Sequence, residues 1–82
     1  MSYIFSFSTR NSALRFFDAV KSFGRAVSFV NTPHLSAGCG MSVKCDDYEL
    51  CQGILNRGYY NNLTAVYMYD GTEYKSIYNA DN

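Results

Sequence analysis

Thr32-Pro33-His34-Leu35-Ser36-Ala37-Gly38-Cys39-Gly40-Met41 divides this chain into two similar halves. The stretch is polar and glycine-rich, and it holds one cysteine between two glycines. Pro33 has no N–H to offer a sheet, so a strand arriving from upstream must stop before it. Gly38 and Gly40 allow a positive φ and let backbone N–H groups approach a sulfur or an anion. The segment therefore reads as a loop, and what flanks it decides the fold.

Upstream, Arg25 to Asn31 alternates Val27, Phe29 and Asn31 with Ser28 and Val30, which predicts strand 2. Before it, Ala13, Phe16, Phe17 and Val20 recur at helical spacing and predict helix 1 over Ser12 to Phe23. Ser8, Thr9, Asn11 and Ser12 all carry a short side-chain oxygen able to cap that helix. Gly24 sits where a left-handed stop is expected. Tyr3 to Phe7, aromatic and β-branched, predicts strand 1.

Downstream, the order repeats. Met41 to Cys45 predicts strand 3, with Met41, Val43 and Cys45 on one face. Asp46 and Asp47 suit a helix N-terminus, and Tyr48, Cys51, Ile54 and Leu55 give helix 2 its apolar stripe. Arg57-Gly58 ends it, and 59–62 make a turn. Leu63 to Tyr69 predicts strand 4. Asp70-Gly71 is a hairpin signal, so Thr72 to Tyr78 can return as a fifth strand; a frayed tail is the alternative. Asn79 to Asn82 is expected to be disordered.

Two βαβ-like halves joined by a loop predict an α+β, ferredoxin-like βαββαβ sandwich, with both helices on one face of a four-stranded antiparallel sheet. Residues 1–71 form the domain and 72–82 an extension. Ile4, Val30, Ser42 and Val66 are expected on the other face. If that face is bare and apolar, a second copy of the chain is its natural cover, which predicts a homodimer.

The bulk chemistry excludes several function classes. Seven Lys+Arg balance seven Asp+Glu over 82 residues, and the basic residues are scattered. A nucleic-acid partner, which needs a concentrated positive face, is not expected. No apolar run reaches the roughly 20 residues of a membrane span, and Met1 to Phe5 lacks the features of a secretory leader. Three cysteines, an odd number, suit a reducing compartment, so the expected location is cytoplasmic. No phosphate loop, dinucleotide fingerprint or paired catalytic carboxylates occur, and no cofactor is called for. The Cys39-x5-Cys45-x5-Cys51 spacing matches no zinc or iron–sulfur pattern, so no metal is expected.

Cys39 is the candidate reactive group, because Cys45 and Cys51 fall on predicted packed faces. A thiol acts as its thiolate, which needs N–H dipoles or cations nearby. Gly38 and Gly40 can supply the former. His34, Arg10 and Lys44 are the candidate charges, and His34, the sole histidine, could also move a proton. The plainer reading, a flexible turn with an idle thiol, stays open beside this one.

The sequence also resembles the selenium/sulfur-carrier-like family, a small bacterial domain of unknown function. The resemblance runs over residues 3–69. It rests on Tyr3-Ile4-Phe5-Ser6-Phe7, Ser8-Thr9, Ala13-Leu14, Thr32-Pro33 through Ser36, and Cys39-Gly40. It implies a cytoplasmic bacterial protein whose Cys39 accepts sulfur or selenium as a persulfide or selenosulfide, with donor and acceptor proteins as partners. Two positions depart from the family's usual pattern: His34 stands where a permanent positive charge is expected, and Gly38 where a small polar residue is. The resulting expectation is a carrier protein rather than a stand-alone enzyme, with Ser36, Gly38, Gly40 and Arg10 supporting Cys39. The alternatives are a non-catalytic module binding proteins or small ligands, and a purely structural subunit.

Overall fold

A computed structural model describes residues 1–31, 41–58, 60 and 62–80. Its elements are β1 (Ser2–Phe7), α1 (Arg10–Ser22), β2 (Val27–Asn31), β3 (Met41–Cys45), α2 (Tyr48–Gly58), β4 (Leu63–Tyr69) and β5 (Tyr74–Asn79). The strands form one sheet in the order β2-β3-β1-β4-β5, and every neighbouring pair is antiparallel. The fold is α+β, and the sheet has five strands: the four expected and the possible fifth. The segment after the Asp70-Gly71 turn adds β5 to the outer side of β4, and Asn79, expected to be disordered, pairs with Ala65. Ala80 N–H then donates to the Thr64 carbonyl at 2.9 Å.

Both helices lie on one face because both carry their apolar stripes there. Ala13, Phe16 and Val20 of α1 and Cys51 and Ile54 of α2 form one core with Phe5, Phe7, Val43, Cys45 and Val66. Phe16 meets Phe5 at 5.1 Å and Phe7 at 5.3 Å between ring centroids. α1 begins two residues earlier than the apolar spacing predicts, since Thr9 is the residue that caps it. Thr9 Oγ1 accepts the Ser12 N–H at 3.3 Å. Gly24, at φ 76°, follows the helix in the left-handed region that glycine enters without strain. β2 starts at Val27 rather than Arg25, and the Arg25 guanidinium instead meets Asp47 at 3.2 Å.

Val66 pairs with Phe5 and points into the helix-side core, not to the opposite face. The opposite face carries Ile4, Ala65 and Tyr67, with Val30 and Tyr69 packed against them. Its centre is also buried within the chain: Ile4, Ser6, Ser42 and Ala65 are all at or below 2% exposed. An uncovered apolar face, the ground for expecting a second copy there, does not exist at these positions.

Ser6 and Ser42 sit opposite each other across β1 and β3 and share a hydrogen bond of 2.6 Å between their hydroxyls. Replacing Ser42 by alanine strands the Ser6 hydroxyl in the core. The expected cost is about 1–3 kcal/mol, the penalty of a buried unpaired hydroxyl. In urea denaturation, the Ser6→Ala/Ser42→Ala double variant should lose less than the two single losses summed; full additivity would refute the pairing.

The β4–β5 turn is built on Asp70. Its carboxylate accepts the Glu73 and Thr72 N–H groups and the Thr72 hydroxyl, each at 2.9 Å. Those bonds hold its pKa down at about 2. A depressed carboxylate pKa stabilises the fold above the unfolded value, near 3.9, and the support is lost as pH falls through about 2. The Thr72 and Glu73 amide resonances should therefore titrate with a midpoint near 2. A midpoint at the ordinary value would show that the turn is not held this way.

Candidate functional site

Cys39, His34, Ser36, Gly38 and Gly40 lie outside the described residues, but the residues on either side of that segment are described. Asn31 ends β2, Met41 starts β3, and the two pair directly. Ser6 opposite Ser42 and Phe7 opposite Leu63 place the C-terminal end of β1 and the start of β4 at that same end of the sheet. α1 follows β1 after Ser8 and Thr9, so its N-terminus stands there too, with Arg10 as its first residue.

That end of the sheet has a defined electrostatic character. The first turn of a helix exposes N–H groups and carries a partial positive charge. Thr9 satisfies the Ser12 N–H; its hydroxyl donates to Ser12 Oγ at 3.1 Å and accepts from Asn62 Nδ2 at 2.9 Å. Asn62 also accepts the Ser8 N–H at 2.9 Å through its carbonyl, which ties the start of β4 to the helix. Sequence patterns gave no hint of Asn62, because its partner lies 53 positions away. α1 has no acidic residue in its first turn to neutralise the end. Arg10 is exposed and forms no ion pair among the described residues.

Lys44, the third candidate charge, is not at this end. It lies three residues along β3 from Met41, roughly 10 Å at strand rise. There its ammonium sits over the Tyr69 ring, 5.7 Å from the centroid.

The other two cysteines are core residues. Cys45 is 3% and Cys51 0% exposed, and both are free thiols. A hydrogen bond to Cys45, then burial, then the electrostatic influence of Cys45, Asp47 and Asp46 push the Cys51 pKa far up. A thiol so placed stays protonated and unreactive. Among the described residues no three His, Cys, Asp or Glu side chains cluster as metal ligands, and no helix is long and apolar enough to cross a membrane.

A family model described as "Putative Se/S carrier protein-like" matches residues 2–79, from β1 through β5. Neither a curated protein nor a solved structure matches the chain.

Proposed function

The chain belongs to the Se/S carrier protein-like family, and from that premise we propose that it carries a sulfur or selenium atom on the thiol of Cys39. The observation that carries the reading is the family match over residues 2–79. Two features of the molecule support it. Burial of Cys45 and Cys51 leaves Cys39 as the one cysteine outside the described core. The loop's anchor residues share one end of the sheet with the N-terminus of α1 and with Arg10, and both favour an anion such as a thiolate. The ferredoxin-like reading of the first four strands belongs to the same proposal and is supported by their order, β2-β3-β1-β4.

The transfer step is redox-neutral. The Cys39 thiolate attacks the terminal sulfur of a donor persulfide, and a new S–S bond forms at Cys39. The donor's own S–S bond breaks, and its inner sulfur leaves as a thiolate with the bonding pair. A selenosulfide donor reacts in the same way at selenium. His34 takes the proton from the Cys39 thiol before attack, and a neutral imidazole does so near neutral pH. An acceptor thiolate then removes the cargo atom by the same exchange in reverse. The cargo arrives from a donor protein and departs to an acceptor protein in the cytoplasm.

The test is intact-protein mass spectrometry after incubation with a small-molecule persulfide donor. The wild-type chain should gain the mass of one sulfur atom, removable by a reductant, and Cys39→Ser should gain none. An unmodified wild-type chain, or an adduct that persists in Cys39→Ser, overturns the proposal.

A further inference from the structure

On the helix side of the sheet, α2 and the outermost strand β5 leave a half-enclosed groove of about 380 Å³ between them. This size falls at the lower end of the range of small-molecule sites, about 300–1,000 Å³. Its existence follows from the topology. α1 packs over β1, β2 and β3, and β5 lies beyond β4 at the opposite edge. Along β5 every residue except Asn79 is exposed, Ile77 at 41% and Tyr78 at 47%.

A bulge shapes the groove floor. The register runs from Val66 opposite Tyr78 to Tyr67 opposite Ser76, so Ile77 is an extra residue. In an unbroken strand Ile77 and Tyr78 would point to opposite faces. Here both line the groove. Bulges that re-aim side chains in this way occur preferentially beside binding and active sites.

The chemistry of the lining is selective. Among the described residues that line the groove, none is charged. Gln52 and Asn56, one helical turn apart on α2, line it together with Tyr48, Tyr60 and Tyr78. Gln52 Nε2 donates to the Tyr48 hydroxyl at 3.0 Å. This bond orients the amide and leaves its carbonyl oxygen and second N–H for a ligand. Tyr60 is held in place from two sides, with the Arg15 guanidinium 4.3 Å above its ring and Phe16 meeting it edge-on at 5.5 Å. A fixed aromatic ring and an oriented carboxamide in the lining of one groove suit a flat ligand with donor and acceptor atoms on its edge. None of the described lining residues offers a charge to pair with a carboxylate or phosphate.

We propose that the groove between α2 and β5 is a binding site for an uncharged, planar, nitrogen-containing heterocycle of the nucleobase or nucleoside class. None of its described lining residues is assigned to the carrier reading. The ligand stacks on the tyrosine walls, and its edge pairs with the Gln52 carboxamide.

The probe is adenosine, titrated into the full isotope-labelled chain by NMR, with benzoate as a flat but charged control. Adenosine should move the amides of Leu55, Asn56, Leu63 and Ile77 saturably, with a Kd on the order of 1 mM or tighter. Benzoate should move none of them. Ile77→Glu, at an exposed position, should abolish the shifts while the β4 amide pattern is kept. Gln52→Leu should weaken binding about tenfold, the loss of one good hydrogen bond. The proposal is overturned if adenosine gives no saturable shifts, if benzoate gives the same ones, or if the shifts persist unchanged in both variants.

Discussion

Phe16→Ala is expected to remove about 3–5 kcal/mol of stability, the usual cost of emptying a fully buried phenylalanine site. For 82 residues the whole folding free energy is only about 4–12 kcal/mol, so this one change brings the chain near the threshold of unfolding. The size of the effect follows from position. Phe16 has no exposed surface, and its ring lies against Phe5, Phe7 and Tyr60 at 5.1, 5.3 and 5.5 Å. It is the point where α1 meets the centre of the sheet and the segment leading into β4. Removing it opens a cavity bordered by three aromatic rings, which are too stiff to close over it. Urea denaturation should show a lower midpoint with an unchanged slope. Phe29 provides the contrast. It also stacks on a phenylalanine, Phe17, at 4.2 Å, but it lies on an edge strand and is 36% exposed. Phe29→Ala should cost about 1 kcal/mol, because water already reaches the ring. Equal losses at the two positions would mean that aromatic contact, and not burial, sets the stability.

The difference between those two residues also marks how far the sequence could be read. Helix 1 was legible because Ala13, Phe16 and Val20 recur with a period that only one face can satisfy, and these are the buried residues of α1. β3 was legible because polar Ser42 and Lys44 separate Met41, Val43 and Cys45. β4 was legible as a strand but not in phase. Leu-Thr-Ala-Val-Tyr-Met-Tyr is apolar at both parities, so alternation cannot say which residues face the helices. A bulge adds to the problem: the register passes from Ser6 opposite Ala65 to Phe7 opposite Leu63, and Thr64 drops out of the ladder. Alternation therefore puts Val66 on the wrong face, whereas it lies in the helix-side core. β5 was legible only through Asp70-Gly71, and the reason Asp70 is there, three hydrogen bonds back to its own turn, cannot be seen in a string of letters.

The candidate site was legible to a different degree. Burial of Cys45 and Cys51 followed from their places in periodic segments, and both are packed. Arg10 is a candidate only by charge in the sequence, and the register places it at the end of the sheet where β2 ends and β3 begins. Lys44, also a candidate by charge, lies along β3 with its ammonium over the Tyr69 ring. The groove between α2 and β5 could not have been read at all. Gln52 and Asn56 look like ordinary exposed positions on a helix, and Ile77 gains its orientation only from an irregularity in strand pairing.

Cys39→Ser is expected to abolish sulfur loading completely, whereas Cys45→Ala and Cys51→Ala should leave it intact and lower stability instead. The split follows from what each sulfur needs. Loading requires a thiolate reachable by a donor's persulfide. Cys51 meets neither condition: it has no exposed surface and its pKa is driven up by the bond to Cys45 and by burial. Cys45 shares its enclosure. Substituting either one empties space in the core, and the loss appears in denaturation, not in transfer. Alkylation should report the same partition without any donor. In the folded chain one of the three thiols should react with iodoacetamide, and Cys39→Ser should remove that reaction. In denaturant all three should react. The pH dependence then tests the surroundings of the loop. If the N-terminus of α1 and Arg10 act on Cys39, its alkylation rate should half-rise below the ordinary thiol value of roughly 8.5, and Arg10→Gln should move that midpoint upward. A midpoint at the ordinary value, unmoved by Arg10→Gln, would separate Cys39 from the charged end of the sheet. The carrier reading would then lose its electrostatic support even if some loading were seen.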